Sequence, residues 1–338
     1  MMEISRRKVL QGIGVGAVST IGALGWAERA SCYRPTKNDG NVVPIHLDRN
    51  ENPYGPPESA VRAMRESLTA QNRYPDGSDE MRKKIAEHHK VAAEQVVLGC
   101  GSTEVLRMAV DAFLTPGTKL VVAVPTCPIL TSFARHKSVE VVEVPLTRDY
   151  AHDLPKMLAQ CDNSTSLVYI CNPNNPTGTL TPRPDLEDFL HKLPANIPVV
   201  IDEAYHHYVI PTSSYSSFLD QPVTEERTII TRTFSKIYGL AGTRVGYAVA
   251  PANLAKRIAE FSLPFGENAT GIAGAMAAVD DDEHVIRNDI EDLLHSVTMQ
   301  FCYKRIVFVL SADLGIQRAV FDDVVAMSSI AVTPSFKR

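Results

Sequence analysis

The chain has little that would commit it to a specialised class. A single tryptophan, six cysteines among 338 residues and a net charge of -5, from 34 basic and 39 acidic side chains, are what it offers. The cysteines, at 32, 100, 127, 161, 171 and 302, form no CxxC pair and have no metal-ligand spacing, so neither a zinc site nor a dense disulfide framework is expected. Most of them are expected to be buried, behaving as small hydrophobes. Without a basic excess there is no electrostatic footprint for nucleic acid. No GxGxxG follows a strand-like run, which argues against a nucleotide-binding oxidoreductase. There is no internal repeat and no low-complexity tract, and no apolar run is uninterrupted enough to span a membrane.

What is present is an ordinary composition, 44% hydrophobic and 22% charged, in a chain long enough for one large α/β domain and a smaller one. The first 30 residues stand apart. Ser5-Arg6-Arg7-Lys8-Val9-Leu10, followed by a Gly-rich, moderately apolar run to Ala27, has the form of a twin-arginine export signal, which implies a periplasmic protein. Residues 31–70 read as an N-terminal arm plus a helix of the smaller domain, 71–270 as the large domain, and 271–338 as the remainder of the small domain.

Apolar strand runs at 95–98, 120–124, 139–144, 166–171, 198–201, 228–231 and 245–249 alternate with helical or loop segments. Helical spacing covers 58–71 and 79–90, and a further helix is expected to open at Gly101. Buried strands alternating with helices predict a mainly parallel sheet sandwiched by helices. In such sheets ligands gather at the carboxyl ends of the strands, so polar residues placed there carry the functional argument.

Four places qualify. Asp202 follows the run 198–201, and a buried carboxylate there calls for a cationic partner; capping the next segment is the alternative. Thr233-Phe234-Ser235-Lys236 follows the run 228–231, with Arg244 eight residues on: a lysine amine beside a guanidinium suits Schiff-base chemistry, and the hydroxyls and guanidinium suit a phosphate. Asn172-Pro173-Asn174-Asn175-Pro176-Thr177-Gly178 is a rigid turn able to aim an amide. Gly99-Cys100-Gly101-Ser102-Thr103-Glu104 presents backbone N–H groups at a helix start, an anion site. The histidine pairs at 88–89 and 206–207 read as surface or locally hydrogen-bonded residues, and the acidic run 280–283 as a solvated loop or helix start.

Taken together with Asn50-Glu51-Asn52-Pro53-Tyr54-Gly55 and Arg73-Tyr74-Pro75, these segments resemble the pyridoxal-phosphate (PLP) aminotransferases of fold type I, and within them the histidinol-phosphate aminotransferase-like group, over residues 47 to 287. The resemblance implies a transaminase acting on an amino acid and a 2-oxo acid. Lys236 would hold PLP as a Schiff base and move the substrate proton. Asp202 would pair with the pyridine nitrogen, and Tyr205 and Asn175 would bond the ring oxygen. Ser102, Thr103, Ser235 and Arg244 would bind the phosphate, with Tyr74 reaching in from the second subunit of a homodimer. Tyr54 would contact substrate.

Cys127 stands where the family stacks an aromatic ring on the cofactor. From about Asp292 onward the family's carboxylate-binding arginine motif is not recognisable, although Arg305 and Arg318 are present; the C-terminus reads as short or divergent. The alternatives to a transaminase are a PLP-dependent decarboxylase of amino-acid phosphates and a PLP-binding protein with little turnover.

Overall fold

In a computed structural model of the chain, residues 49–285 are described, apart from 53, 76, 210–213 and 221–226. The export signal, the arm up to residue 48, Cys32, Cys302, Arg305, Arg318 and most of the C-terminal segment therefore lie outside the described residues.

The helices are α1 (Glu58–Ser67), α2 (Ser78–His89), α3 (Gly101–Phe113), α4 (Ile129–His136), α5 (Leu154–Ala159), α6 (Arg183–Lys192), α7 (Ala252–Ala259) and α8 (Ala269–Ala278). The strands are β1 (Val96–Gly99), β2 (Lys119–Val124), β3 (Glu140–Pro145), β4 (Thr165–Cys171), β5 (Val199–Asp202), β6 (Thr228–Thr233) and β7 (Gly246–Val249). They form one seven-stranded sheet in the order β1-β7-β6-β5-β4-β2-β3. Only β7 runs against its neighbours, pairing antiparallel with both β1 and β6. All seven strand runs expected from the sequence are present, with ends shifted by one or two residues. The helix expected over 58–71 ends at Ser67 and continues as a single 3-10 turn.

The sheet separates two apolar layers. On one side Val200, Ile229 and Ala248 pack with Leu106 and Val110 of α3, Leu130 of α4 and Ile258 of α7. On the other, Val199, Ile201, Ile230 and Val249 pack with Met81 and Ile85 of α2, Leu186 and Phe189 of α6 and Ile272 of α8. Burial on both faces explains why the central strands are continuous apolar runs rather than alternating ones. Each completely buried Leu or Ile stabilises the fold by about 1.5–3 kcal/mol. The edge strand β3 is instead part-exposed, carries Glu140 and Glu143, and ends in Pro145, features that discourage further pairing.

Alternation along β5 and β6 sends neighbouring polar residues to opposite faces. Asp202 and Thr231 belong to the α3 side; Glu203 and Arg232 belong to the α2 side. There Arg232 and Glu203, 3% and 2% exposed, form an ion pair at 2.8 Å. Burial is the largest single influence and works against the charge of Arg232, but Glu203 together with Tyr247, Tyr215 and Tyr238 outweighs it, and the guanidinium is held more firmly protonated than usual.

Beside this pair lies a cavity of about 450 Å³ lined by His88, His89, His206, His207, Tyr238 and Asp282 among others. Of the four histidines only His88 is exposed. His89 bonds the Tyr247 hydroxyl at 2.8 Å and His206 the Tyr215 hydroxyl at 3.0 Å. The reading of these pairs as locally hydrogen-bonded thus holds, but three of the four rings are not surface residues. Tertiary packing of α2 against the β5–β6 end, which no local pattern reports, draws them in. The acidic run does start a helical turn, where Asp281 accepts the His284 N–H at 3.0 Å.

These histidines make the fold acid-sensitive. Burial, then Arg232 and His88, pushes His89 down to about 3. Burial, then Arg232 and His89, pushes His206 to about 2. His207 is pushed well below its ordinary value, and His152, bonded to Thr181 beneath the 172–178 turn, to about 4. Each folded-state value lies below the unfolded one near 6.5, so the stability is complete above about pH 6.5 and is lost as the pH falls beneath it. At pH 5 the loss is about 2 kcal/mol for a wholly desolvated ring, and about 1 for rings part-open to the cavity, on the order of 5 kcal/mol for the four. The melting temperature is expected to drop by roughly 10 °C between pH 7.5 and 5. A flat melting profile over that range would contradict the assignment.

Candidate active site

The site is built where β1, β5, β6 and the β4 turn end. Gly101 opens α3 at φ 73°, a conformation that favours glycine, and a Cβ there would run into the Arg244 guanidinium. Gly246, at the start of β7, lies so close to the Ser102 backbone that any side chain would collide with it. Ser102 and Thr103 sit in the first turn of α3, with N–H groups unsatisfied within the helix, just after the glycine that packs on Arg244. Arg244 itself is left-handed, at φ 56°, which costs an ordinary residue about 1–2 kcal/mol. Its guanidinium donates to Ser235 Oγ at 3.2 Å and to the Ala241 carbonyl at 3.1 Å. Hydroxyls, helix N–H groups and a guanidinium meeting over a glycine floor form a cradle for a phosphate-sized dianion.

Asp202 ends β5, 3% exposed. Its carboxylate accepts Tyr169 Oη at 3.0 Å, Thr231 Oγ1 at 2.9 Å and the Ala204 N–H at 3.2 Å, and it makes no ion pair among the described residues. Burial pushes the carboxyl up, while Thr231, Tyr169 and Ala204 hold it down. A buried acid with neutral partners alone is costly, and a cationic ring N–H would offset that cost. The local-cap reading and the functional one coexist here, since Ala204 takes only one lone pair.

Lys236 stands on the tight loop after β6. Gly239 at φ 63° packs on the Gly55 carbonyl and lets the chain segment 49–55 lie against this loop. Lys236 Nζ donates to the carbonyls of Arg49 at 2.8 Å and Asn50 at 3.0 Å, and lies 5.5 Å from the Tyr205 ring centroid. Burial foremost, with Arg244 adding to it, lowers its pKa, which favours the free amine needed for attack on a carbonyl.

The turn that presents Asn175 is held by its neighbours. Asn172 exchanges two hydrogen bonds with Thr181, and Asn174 bonds both the Pro125 carbonyl and Thr126 Oγ1. Asn174 thereby ties the turn to the segment carrying Cys127. Cys127 is half-buried; burial first, then Asp202, pushes its thiol up, and Lys236 acts in the opposite direction. The expectation that most of the cysteines are buried is corrected here: of the four described, only Cys171 is, while Cys100 just after β1, Cys127 at the cleft and Cys161 in the loop after α5 are half-buried.

Among the sequence-derived residues the structure gathers two sets, Ser102, Thr103, Ser235 and Arg244 about the cradle and Lys236, Tyr205, Asp202 and Cys127 about the amine and carboxylate, with Asn175 on the bordering turn. Tyr54 is half-buried in the 49–55 segment, its N–H bonded to Asn52 Oδ1 at 2.9 Å. Tyr74 is 68% exposed and stacks on Phe265 at 4.3 Å. Sequence reading missed Tyr169, Thr231 and Asn50. For Tyr169 a signal exists: it is two residues before Cys171, which is in register with Asp202, and so shares its face. Among the described residues no group of three or more His, Cys, Asp or Glu could hold a metal ion, and no helix is long and apolar enough to cross a membrane.

An amine, a buried carboxylate and an anion cradle at the carboxyl end of a doubly covered sheet fit PLP, and the fold and site together define a PLP enzyme of fold type I. The family model for aminotransferase class I and II matches residues 43–301, and the chain belongs to that family. It is 42% identical over 249 residues to a histidinol-phosphate aminotransferase of Geobacillus thermodenitrificans, covering 73% of this chain and 67% of that one. It is 38% identical over 261 residues to an aromatic amino acid aminotransferase of Corynebacterium diphtheriae, covering 77% and 75%. A crystal structure of histidinol-phosphate aminotransferase from Sinorhizobium meliloti in complex with pyridoxal-5'-phosphate superposes with a TM-score of 0.67 at 27% identity, covering 72% of this chain and 66% of that one. The protein is a PLP-dependent aminotransferase.

Proposed function

We propose that the enzyme transaminates an amine donor carrying an imidazole or aromatic ring, histidinol phosphate foremost, against a 2-oxo acid. The relatives' named activities support this substrate class. The observation that carries the assignment of roles is the convergence of Lys236, Asp202 and Tyr205 beside the Arg244 cradle. When bound, PLP withdraws electrons from the substrate's α-carbon and makes its proton removable.

This chain's residues do the rest. Ser102, Thr103, Ser235 and Arg244 hold the phosphate. Asp202 would keep the pyridine nitrogen protonated, Tyr205 and Asn175 would bond the ring oxygen, and Cys127 would stand where the family places an aromatic ring. Lys236 is the amine that would hold the cofactor and would move the proton at the substrate's α-carbon. Tyr54 meets the substrate. The test is a single-turnover screen of the holoenzyme, following loss of its visible band with histidinol phosphate and with aromatic and aliphatic amino acids. Saturation with histidinol phosphate and recovery of the keto product support the reading; preference for aliphatic donors, or release of carbon dioxide, overturns it.

The active unit is a homodimer in this proposal. Tyr74 and Phe265, 68% and 69% exposed, stack together, and Leu263 and Leu68 are exposed as well; large exposed apolar side chains of this kind are what a partner covers. Tyr74 of one protomer would complete the phosphate site of the other. Because a hydrogen bond to a charged group is worth about 1.5–3 kcal/mol, Tyr74→Phe is expected to weaken PLP retention about tenfold or more while leaving the dimer intact. A fully loaded, active monomer in sedimentation would contradict it.

Export to the periplasm through the twin-arginine route rests on Arg6-Arg7 and the apolar run after them. Replacing the pair by Lys-Lys is expected to retain the protein in the cytoplasm; undiminished periplasmic protein would overturn the route.

A further inference from the structure

Segment 49–55 does more than lie beside the lysine loop. Asn50 adopts φ 51°, a left-handed turn that Asn tolerates better than most residues. This turn sends its two ends to two different groups of the site. Its carbonyl accepts from Lys236 Nζ at 3.0 Å, and its side-chain amide donates to Tyr205 Oη at 3.0 Å. The next asparagine fixes the segment: Asn52 Nδ2 donates to the Ile237 carbonyl at 2.8 Å, one residue past the lysine, and Asn52 Oδ1 accepts the Tyr54 N–H.

A phenol has one proton to give and can also accept. With Nδ2 of Asn50 donating to its oxygen, the Tyr205 hydroxyl cannot give its proton back to that group and must direct it elsewhere. Accepting a hydrogen bond also polarises the phenol and strengthens the bond it donates.

We infer that Asn50 is a positioning residue that acts through Tyr205, orienting and strengthening the hydrogen bond that the Tyr205 hydroxyl donates to the cofactor's ring oxygen. This rests on the reading of Tyr205 given above. The consequence is a sign. A donor to that oxygen competes with the proton of the cofactor–Lys236 linkage, so it lowers the pH at which the linkage titrates, and losing the donor raises it.

The test is the visible-absorption pH titration of the holoenzyme, together with PLP affinity from fluorescence. Tyr205→Phe is expected to raise the midpoint by about 1 to 2 pH units, since a neutral donor to a charged oxygen is removed. Asn50→Gly, which keeps the backbone turn accessible, is expected to raise it by about 0.5 unit, the smaller effect of weakening rather than deleting that donor. Asn50→Asp has nearly the same shape but no amide N–H, so it accepts from Tyr205 instead, and is expected to exceed Asn50→Gly.

Asn50→Gly added to Tyr205→Phe is expected to change nothing further. If Tyr205→Phe shifts the midpoint but Asn50→Gly does not, the role of Asn50 is overturned and that of Tyr205 stands. An equal Asn50→Gly shift in both backgrounds shows that Asn50 acts independently of Tyr205 and also overturns the inference. No shift in Tyr205→Phe sinks the reading of Tyr205 itself. A tenfold loss of PLP affinity in Asn50→Gly with an unmoved midpoint would mark the segment as cofactor packing alone.

Discussion

Lys236→Ala is expected to yield a folded protein that no longer carries borohydride-trappable cofactor and transaminates at least about a thousandfold more slowly, because covalent attachment and proton transfer are both lost with one amine. The fold should survive. Lys236 Nζ bonds two backbone carbonyls of the 49–55 segment, but Phe234, Ile237 and Leu240 carry the burial of the loop. Reversible PLP binding should also persist, weakened, because Arg244, Ser235 and the start of α3 are untouched. Adding a primary alkylamine is expected to restore part of the proton transfer. Stoichiometric reductive labelling of a different lysine in the wild-type protein would remove Lys236 from its role; an unaltered transamination rate in the variant would do the same.

The substitution with the largest expected effect on stability lies on the other face of the same strands. Arg232→Met should destabilise the fold by about 3–5 kcal/mol, because it leaves the Glu203 carboxylate buried without its counter-charge. Glu203 accepts two further hydrogen bonds, from Ser217 Oγ at 2.6 Å and the Phe218 N–H at 3.1 Å, and Arg232 Nη2 donates to the same Ser217 Oγ at 2.7 Å. Removing the guanidinium therefore disturbs the whole loop that these groups organise. The loss is a large fraction of a typical domain stability of about 5–15 kcal/mol. Glu203→Gln combined with Arg232→Met should be less damaging than the sum of the two single variants, since neither charge is then left alone. Urea denaturation of the four proteins measures this; additive losses would show that the pair is not coupled.

Much of this architecture is legible locally. The strand runs can be read because buried parallel strands are apolar throughout, and the helices between them because their apolar residues recur at helical spacing. Lys236, Asp202 and the 172–178 turn stand out because a charged or rigid polar group directly after an apolar run has few structural excuses. The histidine pairs show the limit. Of the two readings, surface or hydrogen-bonded, the second applies to His89 and His206, and the choice was not legible because the end of α2 and the turn after β5 are far apart in sequence and meet only through the sheet. The cysteines fail for a related reason, in that burial depends on which face of a strand end borders the cleft.

The sequence by itself determined the order of elements, the doubly covered sheet, the chemistry of the amine and carboxylate and the family to which they point. These follow from periodicity and from residue type, which are local properties. Only the tertiary structure decided which neutral donors surround Asp202, that Glu203 beside it faces the opposite layer and finds Arg232, that Gly101 and Gly246 make room for the Arg244 guanidinium, and that Asn50 reaches Tyr205 across 155 positions of chain. Each of these depends on strand register and on close backbone approach, and a contact of that kind is selected by the folded geometry as a whole rather than by the residues that flank it.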